Sequence, residues 1–238
     1  MPGQGQAYKR TVQRVYVNDP RDWDYAYGTD FMLVAGTNTA LLTGGTAGQV
    51  LSEYGWTTTA LSYVVGSGAD FGSKADLGVP NHFSFGASGD LLKSPVIFGD
   101  DAHMRAAEDI LGYYPTQLVM RVYAAFSVAS ADEDVSGFGL IEDGGAITTA
   151  ADHMATFVSN ATNFELRSGA GEDAGTVVDN AWHRWEAVAT FGGSFEWFID
   201  DASQGTLAIT ADEWPCSFSA HSLTTNRILM NSVHIFYR

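Results

Sequence analysis

The stretch AWHRWEAVATFGGSFEWFID, from Ala181 to Asp200, decides the fold class of this chain. It predicts two β-strands, AWHRWEAVATF and SFEWFID, joined by Gly192-Gly193, because a two-residue glycine loop between alternating runs is a strong hairpin signal. Every second residue of each strand lies on one face, which carries His183, Trp185, Ala187, Ala189, Phe191, Phe195, Trp197 and Ile199. This aromatic area favours a core between two packed sheets.

Other parts of the chain follow the same two-residue period. A strand is predicted after Pro115, with one face made of Leu118, Met120, Val122, Ala124, Phe126 and Val128. The last seven residues, from Ser232, predict a terminal strand. Residues 31–90 predict short strands and long turns, since Gly, Thr, Ser and Ala separate short apolar runs. Helical spacing supports one short helix, between Asp101 and Leu111.

The composition of the chain excludes or disfavours several classes of protein and several kinds of partner. The 238 residues are 45% hydrophobic and 17% charged, which excludes a disordered chain. A net charge of -16 disfavours nucleic acid and anionic membrane surfaces as partners. No apolar run approaches the ~20 residues of a membrane span, and residues 1–10 lack the apolar segment of a signal peptide, so we expect synthesis in a cytoplasm. The single cysteine, Cys216, excludes an internal disulfide and is expected to be buried and inert.

Basic residues are concentrated at the start of the chain, where residues 1–21 hold four of them against one acid, Asp19. This pattern predicts a basic arm over residues 1–27, ahead of an acidic domain over residues 28–238. The arm is expected to bind an acidic surface of its own domain or of a partner; the alternative is a disordered leader. The partner-binding residues predicted on it are Lys9, Arg10, Arg14, Tyr16, Arg21 and Trp23.

From about Pro95 to Arg238 the chain resembles the concanavalin A-like, laminin-G-like jelly-roll sandwich. The resemblance rests on the strand YYPTQLVMRVYAAF, the segment WHRWEAVATFGGSFEWFIDDASQGTLA and the final VHIFYR. In that fold a segment of the type x-Trp-x-Phe-x-Asp-Gly precedes a reverse turn, and this chain has Asp200-Asp201 where the pattern has Asp-Gly. The resemblance implies an all-β jelly-roll sandwich of two antiparallel sheets, with an extended N-terminal arm and at most one short helix.

Catalytic signatures are weak. The sandwich glucanases that the resemblance brings into consideration carry Glu-x-Asp-x-x-Glu on one strand, and no Glu-x-Asp occurs in this chain. The nearest substitutes are Glu196 with Asp200, and the run Asp132-Glu133-Asp134. A lyase could use His153 or His183 as its base, with an acid drawn from Tyr113, Tyr123 and Tyr237. Because acids on the surface of an acidic protein are normally hydrated, we predict no catalytic site.

Glycan binding is a second interpretation, since exposed aromatic rings stack on sugars in lectins. The candidate residues are Trp182, Trp214, Asp132 and Asp134. Trp182 is opposite in phase to Trp185, so it faces away from the core, either toward a sugar or beneath a loop or neighbouring subunit. The acidic residues around Asp132 and Glu142 offer oxygen ligands for calcium, but they lack the spacing of an EF-hand loop, and we predict no metal and no cofactor.

The resemblance implies a role on a virion, because jelly-roll sandwiches of this kind recur among the decoration and fibre proteins of tailed phages. We therefore expect a non-enzymatic virion structural protein that decorates or cements the capsid surface through protein contacts, made in the host cytoplasm. Its partners would be the major capsid protein or another virion protein and further copies of itself, with a trimer as one arrangement. The alternatives are a lectin-like glycan-binding module or fibre tip, and a polysaccharide hydrolase or lyase.

Overall fold

The structure is a computed structural model of the chain. It describes residues 25–30, 57–59, 62–64, 82–85, 90–98, 108, 112–126, 136–142, 145–147, 149–159, 163–169, 171–177, 181–190, 193–208, 216–222 and 228–237. The six arm residues from Lys9 to Trp23, together with Asp132, Asp134 and Trp214, lie outside these ranges.

The described part is built almost entirely of antiparallel strands. In chain order they are β1 (Tyr25–Asp30), β2 (Thr57–Thr59), β3 (Ser62–Val64), β4 (His82–Phe85), β5 (Asp90–Phe98), β6 (Gln117–Phe126), β7 (Ser136–Glu142), β8 (His153–Ser159), β9 (Asn163–Ser168), β10 (Gly171–Val177), β11 (Trp182–Thr190), β12 (Ser194–Ile199), β13 (Ala202–Ala208), β14 (Cys216–Ser222) and β15 (Ile228–Tyr237). A short 3-10 turn at Ala150–Asp152 precedes β8.

The strands form two sheets, which confirms the predicted all-β sandwich of antiparallel sheets. Sheet A has the order β13-β12-β11-β6-β15-β4-β3, and β1 pairs with the second half of β15. Sheet B has the order β10-β9-β8-β7-β14-β5-β2. Because β1 begins at Tyr25, the last three residues of the predicted arm already belong to sheet A.

The predicted hairpin is confirmed. β11 and β12 pair antiparallel from Trp185 opposite Ile199 to Ala189 opposite Phe195. Six of the residues predicted to face the core are buried: Trp185, Ala187, Ala189, Phe195, Trp197 and Ile199. His183 is only partly buried, because it contacts Asp200 at the surface, and Phe191 lies outside the described ranges. The strand predicted after Pro115 is β6, whose alternate residues from Leu118 to Phe126 join the same core.

Trp185 lies at the centre of the core between the sheets. Its ring packs edge-to-face on Phe126 from sheet A, and on Phe138 and Phe157 from sheet B, with centroid separations of 5.3–5.8 Å. Its Nε1 donates a hydrogen bond to the carbonyl oxygen of Ala124 at 2.9 Å. The polar atom of the largest core side chain is thus satisfied by the backbone of the adjacent strand.

A buried ion pair lies on the opposite, outward face of sheet A. Arg121 Nε and Nη2 both donate to Glu186 Oε2, at 2.9 and 2.7 Å. The side chains of Arg121 and Glu186 are 12% and 4% exposed, respectively. The outward face at the middle of sheet A is therefore shielded from solvent.

The register of sheet A defines its two ends. At one end, Trp182 at the start of β11 pairs with Ala125, and β12 ends at the Asp200-Asp201 turn. We call this the Asp200 end. At the other, Gln117 pairs with Thr190, and Gly193 precedes β12; we call this the Gly193 end.

Two further expectations concern helices and the thiol. Most of the helix predicted over Asp101–Leu111 lies outside the described ranges; at its end, Gly112 N donates to Glu108 O at 2.7 Å, an i to i−4 hydrogen bond. No helix of the described ranges is long and apolar enough to cross a membrane. Cys216 is buried, as predicted.

Candidate functional site

The turn between β12 and β13 is the most constrained backbone feature of the Asp200 end. Ile199 pairs with Ala202, so that only Asp200 and Asp201 form the turn. Both have positive φ, 49° for Asp200 and 69° for Asp201, as the central residues of a type I′ turn require. The position where the sequence pattern has glycine is thus a left-handed one, occupied here by an aspartate.

Asp200 fastens this turn to the start of β11. Its backbone N–H donates to Arg184 O at 2.9 Å, and Arg184 N donates back to Asp200 Oδ1 at 2.9 Å. The other carboxylate oxygen, Oδ2, lies 2.6 Å from His183 Nδ1. A carboxylate here fixes the proton of His183 on Nδ1. Both carboxylate oxygens of Asp200 therefore contact residues of β11.

Asp201 points outward from the same turn. Its carboxylate pairs with the guanidinium of Arg184 through Nη2, and the two side chains are 73% and 36% exposed, respectively. An acceptor and a planar donor thus lie side by side at the surface. Exposed polar groups of this kind bind hydroxyl-rich ligands through paired hydrogen bonds.

Behind the turn, Trp182 stacks on Tyr123, with ring centroids 5.3 Å apart and planes inclined by 28°. Trp182 is 8% exposed and packs with Ala125 and Leu229. It faces away from the core that holds Trp185, as the alternation predicted, but it presents no open ring face. The pKa of Tyr123 is raised, chiefly because the phenol is partly buried and secondarily because Asp200 is negatively charged, so Tyr123 stays protonated at neutral pH.

Of the candidate glycan residues, only Trp182 belongs to the part of the chain that the structure describes. It lies at the start of β11, opposite Ala125, and therefore at the Asp200 end.

The candidate catalytic residues lie in different parts of the sandwich. Glu196 Oε1 accepts a hydrogen bond from Ser203 Oγ at 3.0 Å, whereas Asp200 is held by His183 and Arg184. Of the lyase candidates, His183 and Tyr123 both adjoin Asp200. The others lie elsewhere: His153 is buried in sheet B, and Tyr113 and Tyr237 lie toward the Gly193 end.

No metal centre is apparent in the described ranges, since no three His, Cys, Asp or Glu side chains converge there in a way that could hold an ion. Glu142, from the acidic stretch considered for calcium, lies at the end of β7 opposite Cys216. The other members of that stretch, from Asp132 to Asp134 and Asp143, lie outside the part of the chain that the structure describes.

Sequence reasoning did not select Arg184 or Asp201 as site residues. The available signal was the substitution of Asp201 for the glycine of the Asp-Gly pattern, which marks a residue kept at an unfavourable backbone conformation. Arg184 carried no such signal, because its partner is 17 residues away and is brought close only by the hairpin register.

The comparisons with known proteins assign no family. No family model and no curated protein matches the chain. Among solved structures, the binding domain of botulinum neurotoxin DC in complex with rat synaptotagmin II is 11% identical, with a TM-score of 0.44, over 78% of this chain and 44% of that one. The chain thus spans less than half of that domain.

A second solved structure is the carbohydrate esterase vb_24B_21 of the Shiga toxin-encoding bacteriophage phi24B. It is 14% identical, with a TM-score of 0.47, over 79% of this chain and 92% of that one. The described part of this chain is a two-sheet antiparallel β-sandwich, and similarities of this size assign it neither a family nor a ligand.

Proposed function

We propose that this chain is a non-enzymatic binding module that recognises a glycan at its Asp200 end and acts on a virion surface. The observation that carries the glycan proposal is Asp201, an exposed aspartate at φ 69° in a position that glycine would occupy without strain. A left-handed backbone costs an L-residue about 1–2 kcal/mol. Side chains held at such a cost are concentrated at functional sites.

The chemistry of the turn suits a neutral, hydroxyl-rich ligand. The Asp201 carboxylate accepts hydrogen bonds from hydroxyl groups, and the Arg184 guanidinium beside it donates them. Asp200 fixes both residues by closing the turn onto the backbone of β11. The net charge of -16 disfavours a strongly anionic polysaccharide. A neutral glycan is therefore the ligand class best supported.

The direct test is Asp201→Gly, because glycine fits the turn and removes the carboxylate. Relief of the left-handed strain offsets the added chain entropy of glycine and the lost surface ion pair, so the free energy of unfolding should change by less than about 1 kcal/mol. Glycan binding, first located on an array of neutral oligosaccharides and then measured by calorimetry, should weaken at least tenfold.

Thr206→Ala is the matched control, since Thr206 is exposed on β13, away from the turn. It should leave both quantities unchanged. The proposal is wrong if Asp201→Gly binds the glycan with wild-type affinity. It is also wrong if the protein binds none of the oligosaccharides saturably. Shortened or unsaturated oligosaccharide products during incubation would instead identify a hydrolase or lyase, for which His183, oriented by Asp200 beside Tyr123, is the base to test.

The virion role rests on the basic arm. β1 pairs with β15 along Ser232–Tyr237, so Tyr25, which follows the basic residues of the arm in sequence, belongs to sheet A. Reversing the charges of Lys9, Arg10 and Arg14 should abolish binding to assembled particles at low salt, because salt screens such contacts least there. Co-sedimentation with particles measures this. Unchanged binding of the variant would separate the arm from particle attachment and leave the glycan proposal intact.

A further inference from the structure

The connection between β7 and β8 carries a buried apolar residue, Ile147. Ile141 of β7 is buried as well. Gly145, Ala146 and Ile147 form a short stretch that we call the latch segment. Hydrogen bonds to its backbone polar groups hold it, and one of them is made by the buried imidazole of His153.

The histidine is His153, the first residue of β8, whose side chain is fully buried. Its Nε2 lies 2.5 Å from the carbonyl oxygen of Ile147, so Nε2 carries the proton and donates it to that oxygen. Nδ1 is then the unprotonated nitrogen. It has no hydrogen-bond partner within the described part of the chain. A second proton would therefore place a buried N–H, and a positive charge, where no described group accepts them.

The remaining contacts hold the rest of the latch segment. Ala146 N donates to Asp152 Oδ2 at 2.8 Å, and Gly145 N donates to Glu142 O at 2.9 Å. Lys93 Nζ, from β5, donates to Gly145 O at 3.3 Å. His153 is thus the contact that ties Ile147 itself to the sheet.

Within the described ranges, few charged groups lie on the elements packed around His153. They are Asp152 on the adjoining turn, Glu142 on β7, Lys93 on β5, and the Glu165–Arg167 pair on β9, whose atoms Glu165 Oε2 and Arg167 Nη2 lie 2.7 Å apart. Burial lowers the pKa of His153 below 6.5, and this effect outweighs the hydrogen bond to Ile147 O and the charge of Asp152, which both raise the pKa. The imidazole is accordingly neutral in the closed form at neutral pH.

We propose that His153 is an acid-sensitive latch, which releases the latch segment and exposes Ile147 when the imidazole takes up a second proton. The protonated ring is stable only in water, so uptake of the proton is coupled to the opening that brings water to Nδ1. The closed form is favoured above the ordinary histidine pKa of 6.5. It is lost progressively as the pH falls below that value.

Amide hydrogen exchange tests the latch in the full chain. The readout is the protection of the Gly145 and Ala146 amides, corrected for the intrinsic pH dependence of exchange, between about pH 7.5 and about pH 5. In the wild type, the protection of these two amides should fall at least tenfold over this pH range. The protection of amides in the β11–β12 hairpin should not change. His153→Gln retains a donor for Ile147 O but does not titrate, so its protection should stay constant.

The matched control is His183→Gln, which removes a histidine at the Asp200 end and should leave the wild-type response of the latch segment intact. An equal loss of protection in His153→Gln would overturn the proposal, because it would assign the response to Asp152 or another group. A wild-type protection that does not change over this pH range would overturn it too. That second measurement needs no variant, so it decides the question even if His153→Gln does not fold.

Discussion

Replacing Glu186 by glutamine is expected to lower the free energy of unfolding by about 3–5 kcal/mol. The substitution keeps the shape of the side chain and removes its charge, which leaves Arg121 charged in a site shielded from water. The attraction of the Glu186 carboxylate then no longer offsets the desolvation of the guanidinium. Urea denaturation followed by tryptophan fluorescence measures the change.

A neutral neighbour contributes to the same site. His234 on β15 pairs in register with Arg121, and burial lowers the pKa of its imidazole to about 3. It is therefore uncharged at neutral pH and adds no second cation beside the guanidinium. Where Arg121 pairs with His234 and Glu186 in register, Glu186 carries the negative charge, so Glu186→Gln removes the carboxylate that faces the guanidinium on β11.

Two control variants compare the stability contribution of this buried ion pair with that of an exposed one. Arg184→Met breaks the exposed pair with Asp201 and should cost at most about 1 kcal/mol. The double variant Arg121→Met with Glu186→Leu should recover most of the stability, because no buried charge remains. A Glu186→Gln protein no less stable than Arg184→Met would show that the site is hydrated, contrary to the burial described above.

Gly139→Ala is expected to destabilise the sandwich by about 3 kcal/mol or more. Gly139 lies in the middle of β7, opposite Thr156 on β8 and Ser219 on β14. Its φ is 155°, and a Cβ there would lie 2.6 Å from Thr156 Cα and closer still to the carbonyl oxygen of Ala155. Both are backbone atoms of a paired strand, so they cannot move without breaking the sheet.

Gly193→Ala is the matched control for this prediction. A Cβ at Gly193 would approach nothing closer than 3.5 Å, so alanine there should change the free energy of unfolding by less than about 0.5 kcal/mol. Thermal and urea denaturation of the two variants measure the difference. Equal stabilities would mean that β7 and β8 do not approach each other as closely as described.

Much of the fold could be predicted because alternation is a local property. The faces of β6, β11 and β12 follow from alternation, and Trp185, Phe195 and Trp197 are buried as predicted, whereas His183, predicted on the same face, is only partly buried. The opposite facing of Trp182 and Trp185 follows from the same rule. Pairing of consecutive strands across Gly192-Gly193 needed no long-range information either.

The candidate site could be predicted only in part. The departure from Asp-Gly at Asp200-Asp201 was visible in the sequence, but the attachment of Asp200 to His183 and Arg184 was not. That contact depends on the length of the hairpin, because antiparallel pairing brings the end of β12 next to the start of β11. The burial of Arg121 and Glu186 was also not predicted. Alternation indicates which residues face outward, but it does not indicate whether that outward face is shielded from solvent.

The sequence by itself determined the class of structure: alternating strands, a glycine hairpin and an aromatic core between two sheets, since these follow from a period of two and from turn chemistry within a few residues. Only the tertiary structure decided which charges are buried, which turn collects Tyr123, His183, Arg184 and Asp201 at one end, and which histidine fastens Ile147. These depend on register between strands far apart in sequence, where a pairing shift of one residue would turn every side chain to the other face.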